Sequence, residues 1–238
     1  MGTKSSSQNP SATPDQTSSP TDSKTRTLGE TILSQNKDAW WFKYSEKYGG
    51  SSHFANHLLA VCPDKNSFEE SVSIVDQILT KDTNSSRNQR IGLFGSLAYY
   101  ASSSYTKRET QELTKTAAKV VASNKRFRAL ILGGNRSSDS PQGNWAQAFE
   151  EAGIPVVYVV PNSPSAKRDL ERILYDEDGS ERPLVKGQRK IIFAGRSYPR
   201  RNQILASLCS QYAVAAGGPG TRFELFTSAT QQAGNAFD

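Results

Sequence analysis

The feature that most constrains this chain is a run of glycines between an apolar segment and a helical pattern, in the stretch 212–225. Apolar residues of strand type lead into the glycines, and a pattern compatible with a helix, carrying Glu224, follows them. Such a strand–loop–helix arrangement favours an oxyanion as its ligand, because glycines let the backbone turn sharply and the helix directs free N–H groups and its positive dipole end at the same point. The residues predicted to bind a phosphate are Gly217, Gly218, Gly220 and Thr221.

Two interpretations of this stretch are open. In the first, the glycines form a phosphate-binding loop; in the second, they form a turn that only joins a strand to a helix. The stretch is not a Walker A loop, because no Gly-Lys-Ser/Thr sequence follows, and Phe223 stands where a GxGxxG motif has its last glycine. Both interpretations predict a strand before the glycines and a helix after them.

The overall charge favours anionic partners. The 238 residues carry a formal net charge of +6, which suits nucleotides, nucleic acid or an anionic membrane face without choosing among them. Cys62 and Cys209 are the only cysteines, too few for a disulfide framework or a cysteine-rich zinc site. No apolar run reaches membrane-spanning length and no stretch resembles a signal peptide. We therefore expect a soluble, cytoplasmic protein.

Residues 1–38 are predicted to be a disordered tail. They are rich in Ser, Thr, Pro, Asn and Gln and nearly lack large apolar side chains, so they cannot bury enough surface to offset the entropy of ordering. The first residues fit the loose N-myristoylation pattern, with Gly2 as the acceptor and Ser6 at the preferred position. Chance matches are common in a Ser-rich tail and one acyl chain anchors only weakly, so membrane attachment is not favoured.

Residues 39–89 are predicted to form an aromatic, helical extension. The cluster 40–44 is expected to pack on the body of the protein; stacking on nucleic-acid bases is the less favoured alternative, because no ribonucleoprotein motif accompanies it. His53 and His57 are four residues apart, but the glutamate of HExxH and a third ligand are missing, so we expect no metal here. A capping box at 67–70 predicts the start of a helix.

Strand-type and helix-type patterns alternate from residue 90 onward. Continuous apolar strands that alternate with helices are typical of a parallel sheet covered on both faces. We therefore predict an α/β fold, a Rossmann-like doubly wound parallel sheet, over residues 90–238. The predicted strands are 91–94, 128–132, 156–160, 190–194 and 212–216.

Glycines follow three of these predicted strands. In doubly wound sheets ligands bind at the carboxyl ends of the strands, so turns at these ends would meet at one edge. A nucleotide-sized binding site is therefore predicted there. The residues at the three ends are Gly95 and Ser96, Gly133 and Gly134, and Gly217 and Gly218.

The densest basic region of the chain lies between Arg182 and Arg201. One interpretation is a solvated basic loop. However, Arg200 and Arg201 begin the predicted helix that precedes the strand 212–216, and that helix start should open on the same edge as the glycines. A guanidinium there would pair with a phosphate through two hydrogen bonds or hold Glu224 as a carboxylate.

The segment 216–224 resembles a motif of the LOG ("lonely guy") family of nucleoside 5′-monophosphate phosphoribohydrolases, formerly often labelled lysine decarboxylases, and of the wider SLOG nucleotide-binding superfamily. The family motif is proline-glycine-glycine-x-glycine-threonine-x-x-glutamate, and here Ala216 replaces the proline. The catalytic arginine of the family lies on the helix before the motif, at a spacing that matches Arg201. The resemblance covers about residues 90–238.

The resemblance implies a domain that binds a nucleoside monophosphate and hydrolyses its N-glycosidic bond. Glu224 and Arg201 would be catalytic, and the glycines and Thr221 would hold the phosphate. It also implies a homodimer and no requirement for a metal or a cofactor. The alternative is a non-catalytic SLOG-type sensor of a nucleotide signal, and a nucleic-acid-binding module is a third, less favoured interpretation.

The chain departs from the family pattern in several places. Tyr198-Pro199-Arg200-Arg201-Asn202 stands where the family has methionine-histidine-x-arginine-lysine, and Phe223 replaces an acidic residue. The chain also ends at Asp238, whereas the family continues through further strands, so either a fragment or a reduced C-terminal part is expected. These departures leave the base and the retention of catalysis open.

Overall fold

The computed structural model describes residues 28–47, 51–62, 66–95, 106–183, 189–215 and 219–234. Within these residues six strands form one sheet, and helices pack on both of its faces. The strands are β1 (Leu58–Val61), β2 (Arg90–Phe94), β3 (Ala129–Leu132), β4 (Val156–Val160), β5 (Arg189–Phe193) and β6 (Gln211–Val214).

The helices alternate with these strands along most of the chain. Short 3₁₀ turns at Arg87–Gln89 and Pro164–Ala166 precede β2 and the seventh α-helix. The α-helices are α1 (Leu28–Gln35), α2 (Trp40–Lys47), α3 (Ser51–His57), α4 (Phe68–Thr83), α5 (Lys107–Ala122), α6 (Pro141–Glu151), α7 (Lys167–Leu174), α8 (Tyr198–Ser207) and α9 (Pro219–Gly234).

The sheet is parallel throughout, in the order β1-β5-β4-β3-β2-β6. From β2 the chain moves through β3 and β4 to β5 on one side, and then crosses to the other side of β2 as β6. The order therefore reverses between β2 and β6, and in open α/β sheets the crevice at such a reversal is where ligands bind. The predicted Rossmann-like, doubly wound α/β fold is confirmed.

Two hydrophobic cores lie on opposite faces of the sheet, because neighbouring residues of a strand point in opposite directions. Leu130, Tyr158 and Phe193 belong to the core that packs against α5, α6, α7 and the N-terminal helices. Ile131 and Val157 belong to the core that packs against α4 and α8. Since both faces are covered, the central strands are apolar at nearly every position, and this is the pattern from which they were predicted.

The aromatic cluster at 40–44 packs into the first core, as predicted. Trp41 is fully buried, and its ring stacks on Phe193 with the centroids 5.2 Å apart. Trp40 meets the same ring edge-on at 5.8 Å. The N-terminal helices are thus attached to β5 through aromatic contacts, which favours the packing interpretation of these side chains over base stacking.

Residues before position 90 contribute more than helices to the fold. β1 pairs with β5 in the main sheet, a strand that the sequence analysis missed. α1 lies inside the range 1–38 that was predicted to be a tail, and it buries Leu33 against the first core. Residues 1–27, and Gly2 with them, lie outside the described residues, so the disorder of that part and the boundaries of the three segments stay predictions.

Both cysteines are buried free thiols. Burial raises the pKa of the Cys62 thiol to about 11, so it is protonated at neutral pH. Among the described residues, no helix has the length and apolar character needed to cross a bilayer.

Candidate functional site

Gly95 follows β2 at the carboxyl edge of the sheet, where β2 pairs with β6. A Cβ on Gly95 would lie 3.1 Å from Pro141 Cβ and 3.5 Å from Ala215 Cβ. Gly95 therefore sits between the first turn of α6 and the residue after β6, at the reversal of strand order. Ser96, which follows it, lies outside the described residues. Of the glycines predicted to converge at this edge, Gly95 is thus placed here, and its part in binding stays a prediction.

Arg201 lies at the same edge, against the end of β3. Ser197 caps α8 by accepting a hydrogen bond from Arg200 N at 3.4 Å, and Arg201 follows in the first turn. The side chain is 5% exposed. A Cβ on Gly133 would overlap Arg201 Nη1 and lie 3.1 Å from Cζ. The structure therefore brings Arg201 and Gly133 into contact, and any side chain at position 133 would displace the guanidinium.

Asp169, in the first turn of α7, lies beside the next glycine. Gly134 has φ +107°, and a Cβ there would lie 3.3 Å from Asp169 Oδ2. The carboxylate is 8% exposed and accepts a hydrogen bond from the Tyr198 hydroxyl at 3.0 Å. Burial raises the pKa of Asp169, while the charge of Arg201 and the Tyr198 hydrogen bond oppose that rise. Asp169 is thus a buried acid next to the guanidinium.

Tyr198 links the two charged groups. Its ring centroid lies 5.4 Å from Arg201 Cζ, within the range of a cation–π contact, while its hydroxyl reaches Asp169. Burial and the neighbouring Asp169 carboxylate raise the pKa of Tyr198 to about 12, so the hydroxyl stays a donor at neutral pH. Neither Asp169 nor Tyr198 was predicted as a site residue, although Tyr198 was one of the departures from the LOG pattern.

The glycine run follows β6 in the chain and extends into the first turn of α9. The predicted order of strand, glycines and helix is found, since β6 ends at Val214 and α9 begins at Pro219. Thr221 is buried in the first turn of α9, a helix that packs against α8 and β2. Gly217 and Gly218 lie outside the described residues. Gly220 belongs to the first turn of α9.

Glu224 belongs to α9, one helical turn after Gly220. The placement of its side chain lies outside what the structure describes. Its predicted role at the anomeric carbon therefore stays a prediction that rests on the sequence.

A second charged cluster anchors the loop that follows Gly134. Glu150 on α6 accepts hydrogen bonds from Arg136 Nη2 at 3.0 Å and from Arg189 Nε at 3.2 Å. Burial acts to raise the pKa of Glu150, but the two guanidinium groups outweigh it and hold the pKa below its ordinary value. Arg136 also donates to Gly143 O at 3.1 Å. The loop is therefore fixed to α6 directly and to β5 through the shared Glu150 carboxylate.

A cavity of about 710 Å³ lies between this loop and α7. Its size suits a small molecule. The described residues around it include positively and negatively charged side chains, and none of the predicted site residues is among them. These residues are Arg136, Ser137, Ser138, Glu171, Arg172, Tyr175, Asp176, Glu177, Asp178, Gly179 and Arg182.

The two histidines form a pair within the N-terminal helices. Their ring centroids are 5.0 Å apart, and His57 Nδ1 lies 3.2 Å from the carbonyl oxygen of Arg189. Burial lowers the pKa of His57 to about 4, so its ring is neutral at physiological pH. Within the ranges that the structure describes, no three His, Cys, Asp or Glu side chains come together as a metal site would require.

Comparisons with known proteins give no sequence family. No protein-family model matches the chain, and a search of curated proteins finds no match. Among solved structures, it is similar to the molybdenum cofactor carrier protein of Chlamydomonas reinhardtii, at 16% identity and a TM-score of 0.41, over 61% of this chain and 73% of that one. It is also similar to the structural-genomics protein TM1055, at 16% identity and a TM-score of 0.39, over 60% and 69%. Likeness at this level carries no argument about function.

Proposed function

We propose that this protein binds a nucleoside 5′-monophosphate at the carboxyl edge of its sheet and hydrolyses the N-glycosidic bond to give a free base and ribose 5-phosphate. The observation that carries the proposal is the position of Arg201, whose guanidinium lies on Gly133 at the end of β3. At the same edge the strand order reverses between β2 and β6, and α9 begins after β6. A cation, glycine-containing turns and a helix N-terminus are what an anionic nucleotide requires.

The roles of the residues follow from the charge that develops in the reaction. The C1′–N bond to the base breaks, the oxygen of water bonds to C1′, and the base leaves with a proton, through an oxocarbenium-like centre. The Glu224 carboxylate would stabilise that centre or orient the water. Arg201 would orient the substrate, and the backbone of 217–221 would hold the phosphate.

The experiment is base release from a panel of nucleoside monophosphates, followed by chromatography. We expect release from at least one member of the panel, and we expect Glu224→Gln and Arg201→Ala each to lower kcat/KM by about 100-fold or more, as loss of one charge-stabilising group typically does. The matched nucleoside without a 5′-phosphate serves as the control substrate. Equal hydrolysis of nucleoside and nucleotide, or full activity of Glu224→Gln, would contradict the proposal.

A second candidate function is a non-catalytic nucleotide sensor. The observation that favours it is Asp169, because a buried carboxylate next to Arg201 already compensates part of the positive charge that a substrate would use. A sensor would bind a nucleoside monophosphate, raise the melting temperature of the protein and release no base. Calorimetric titration combined with the release assay separates the two functions.

We also propose a homodimer in the cytoplasm, which the LOG resemblance and the composition imply. Sedimentation equilibrium at micromolar concentration tests the dimer, and the expected mass is twice the chain mass of 26.1 kDa. A single species at the monomer mass would overturn it.

A further inference from the structure

Arg201 is enclosed by groups from three different elements. The backbone of Gly133, at the end of β3, lies against Nη1. The ring of Tyr198, one turn earlier on α8, lies on the guanidinium at 5.4 Å. The Asp169 carboxylate, on α7, is close enough for the two charges to act on each other, and it is tied to the Tyr198 hydroxyl at 3.0 Å. The guanidinium is therefore placed by its surroundings and not by its own helix alone.

We propose that Asp169 and Tyr198 are positioning residues for Arg201: together they hold the guanidinium against Gly133, and the Asp169 charge limits how strongly the site binds a phosphate. This inference rests on the proposed function for its kinetic consequences, and it goes further by naming the groups that set the geometry and the electrostatic balance of the site.

The neighbours of Arg201 restrict where its side chain can lie. An arginine side chain has several rotatable bonds, and fixing it costs conformational entropy unless its neighbours already hold it. The Tyr198 ring and the Gly133 backbone both restrict the orientation of the planar guanidinium, and Gly133 is the residue that makes the close approach possible. The Tyr198 ring, in turn, is fixed because its hydroxyl donates to Asp169.

The charges of Asp169 and Arg201 also act on each other. Asp169 is 8% exposed and Arg201 is 5% exposed, so their charges interact through protein and not through bulk water. A carboxylate in that position lowers the positive potential that an incoming phosphate meets. Binding strength and orientation are therefore in conflict: removal of the Asp169 charge should tighten the binding of an anion while it loosens the placement of Arg201.

This conflict predicts a fall in kcat without a rise in KM, a combination that structural damage to the site does not produce. Asp169→Asn keeps the shape of the side chain and an oxygen that accepts from Tyr198, but removes the charge. We expect KM for the hydrolysed nucleoside monophosphate to stay the same or fall, and kcat to fall about tenfold, because misplacement of a charge-stabilising group affects turnover. Tyr198→Phe, which keeps the ring and loses only the hydroxyl, should lower kcat less and leave KM within about twofold.

Asp139→Asn is the matched control for Asp169→Asn. Asp139→Asn removes an exposed carboxylate from the loop after Gly134, where Asp139 bonds only a neighbouring serine among the hydrogen bonds of the described residues. It should change neither kcat nor KM. A rise in KM together with a fall in kcat/KM for Asp169→Asn, or kinetics equal to those of Asp139→Asn, would overturn the positioning role.

A second measurement tests the inference without any substrate. In the free protein, the Nε–H resonance of Arg201 is followed against pH with isotope-labelled arginine, and Arg201→Lys identifies it by its loss. We expect this resonance to shift as Asp169 titrates, and the shift to be absent in Asp169→Asn. The other groups acting on the Asp169 carboxylate are Tyr198 on α8 and Arg172 on α7, and Arg172→Lys should preserve the shift.

The two measurements separate this inference from the proposed function. If no nucleoside monophosphate is hydrolysed but the Arg201 resonance follows Asp169, the proposed reaction fails and the positioning stands. If hydrolysis is found but the Arg201 resonance shifts identically in wild type and Asp169→Asn, the reaction stands and the positioning is overturned.

Discussion

Glu150 and Asp169 are both carboxylates with 8% exposure that lie near arginines, yet their pKa values shift in opposite directions. Glu150 accepts hydrogen bonds from two guanidinium groups, and its pKa is held below the ordinary value. Asp169 accepts one bond from the Tyr198 hydroxyl, and its pKa is raised. Equal burial therefore does not give equal chemistry: the number of cationic partners decides whether a buried acid anchors the fold or remains available to a site.

The largest expected effect comes from breaking the Glu150 cluster. Glu150→Gln leaves two arginines buried without their counter-charge, and we expect the free energy of unfolding to fall by about 3–5 kcal/mol. Urea denaturation measures it. Glu151→Gln, at the exposed neighbouring position, is the control and should stay within about 0.5 kcal/mol of wild type. A loss below about 1 kcal/mol for Glu150→Gln would remove the distinction between the two acids.

Acid should also lower the free energy of unfolding through His57, whose ring contacts the backbone of Arg189, a partner of Glu150. The folded pKa of His57 is about 4, against an ordinary value of 6.5. Between these values the unfolded chain binds the proton first. The contribution of the neutral His57 ring to the free energy of unfolding is therefore fully present above pH 6.5, and about 3 kcal/mol of it is lost as the pH falls to 4. Glu150 adds a loss of the same sign as the pH falls through its depressed pKa.

Urea denaturation between pH 4 and pH 7 tests this contribution. His57→Gln should flatten the dependence of unfolding free energy on pH over that window. An equal slope for wild type and His57→Gln would contradict the assignment.

Gly133→Ala tests the Asp169 side of the comparison, because the new Cβ would overlap Arg201 Nη1. We expect a stability cost of about 1 kcal/mol, at the low end for overpacking because the Cβ meets the end of a side chain and not backbone, and loss of nucleotide hydrolysis. The double variant Gly133→Ala/Arg201→Ala serves as the control, since removal of the guanidinium removes the clash. If the stability costs of the two substitutions are simply additive, the contact is not the cause.

The sequence predicts the sheet better than it predicts the site. Five of the six described strands were predicted, because central parallel strands are continuous apolar runs. β1 was missed because its four residues follow α3 directly, with no turn residue to mark a boundary. Arg201 was predicted at the correct edge because a helix that precedes a parallel strand must begin at the carboxyl end of the sheet.

Asp169 escaped the sequence analysis for a physical reason. It lies on α7, a helix in which charged residues outnumber the apolar ones, and such residues ordinarily form a solvated face. Its burial depends on contact with Gly134 and Tyr198, which are separated from it in sequence and meet it only in the folded chain. A sequence pattern carries no signal for a contact of that kind, so the counter-charge of Arg201 had to come from the structure.

The smallest expected effect is that of Asp169→Asn on the free energy of unfolding. It separates the two acids, because here we expect no loss of stability. The pKa of Asp169 is raised in the folded state, so the folded protein takes up a proton on Asp169 before the unfolded chain does. The free energy of unfolding therefore rises as the pH falls from the folded pKa of Asp169 to its unfolded pKa. At pH 7 the buried charge is a cost, and Asp169→Asn should leave the free energy of unfolding unchanged or raise it, by at most roughly 1 kcal/mol. Urea denaturation at pH 7 should therefore show a loss of stability for Glu150→Gln and none for Asp169→Asn. A loss for Asp169→Asn as large as that for Glu150→Gln would mean that both carboxylates anchor the fold.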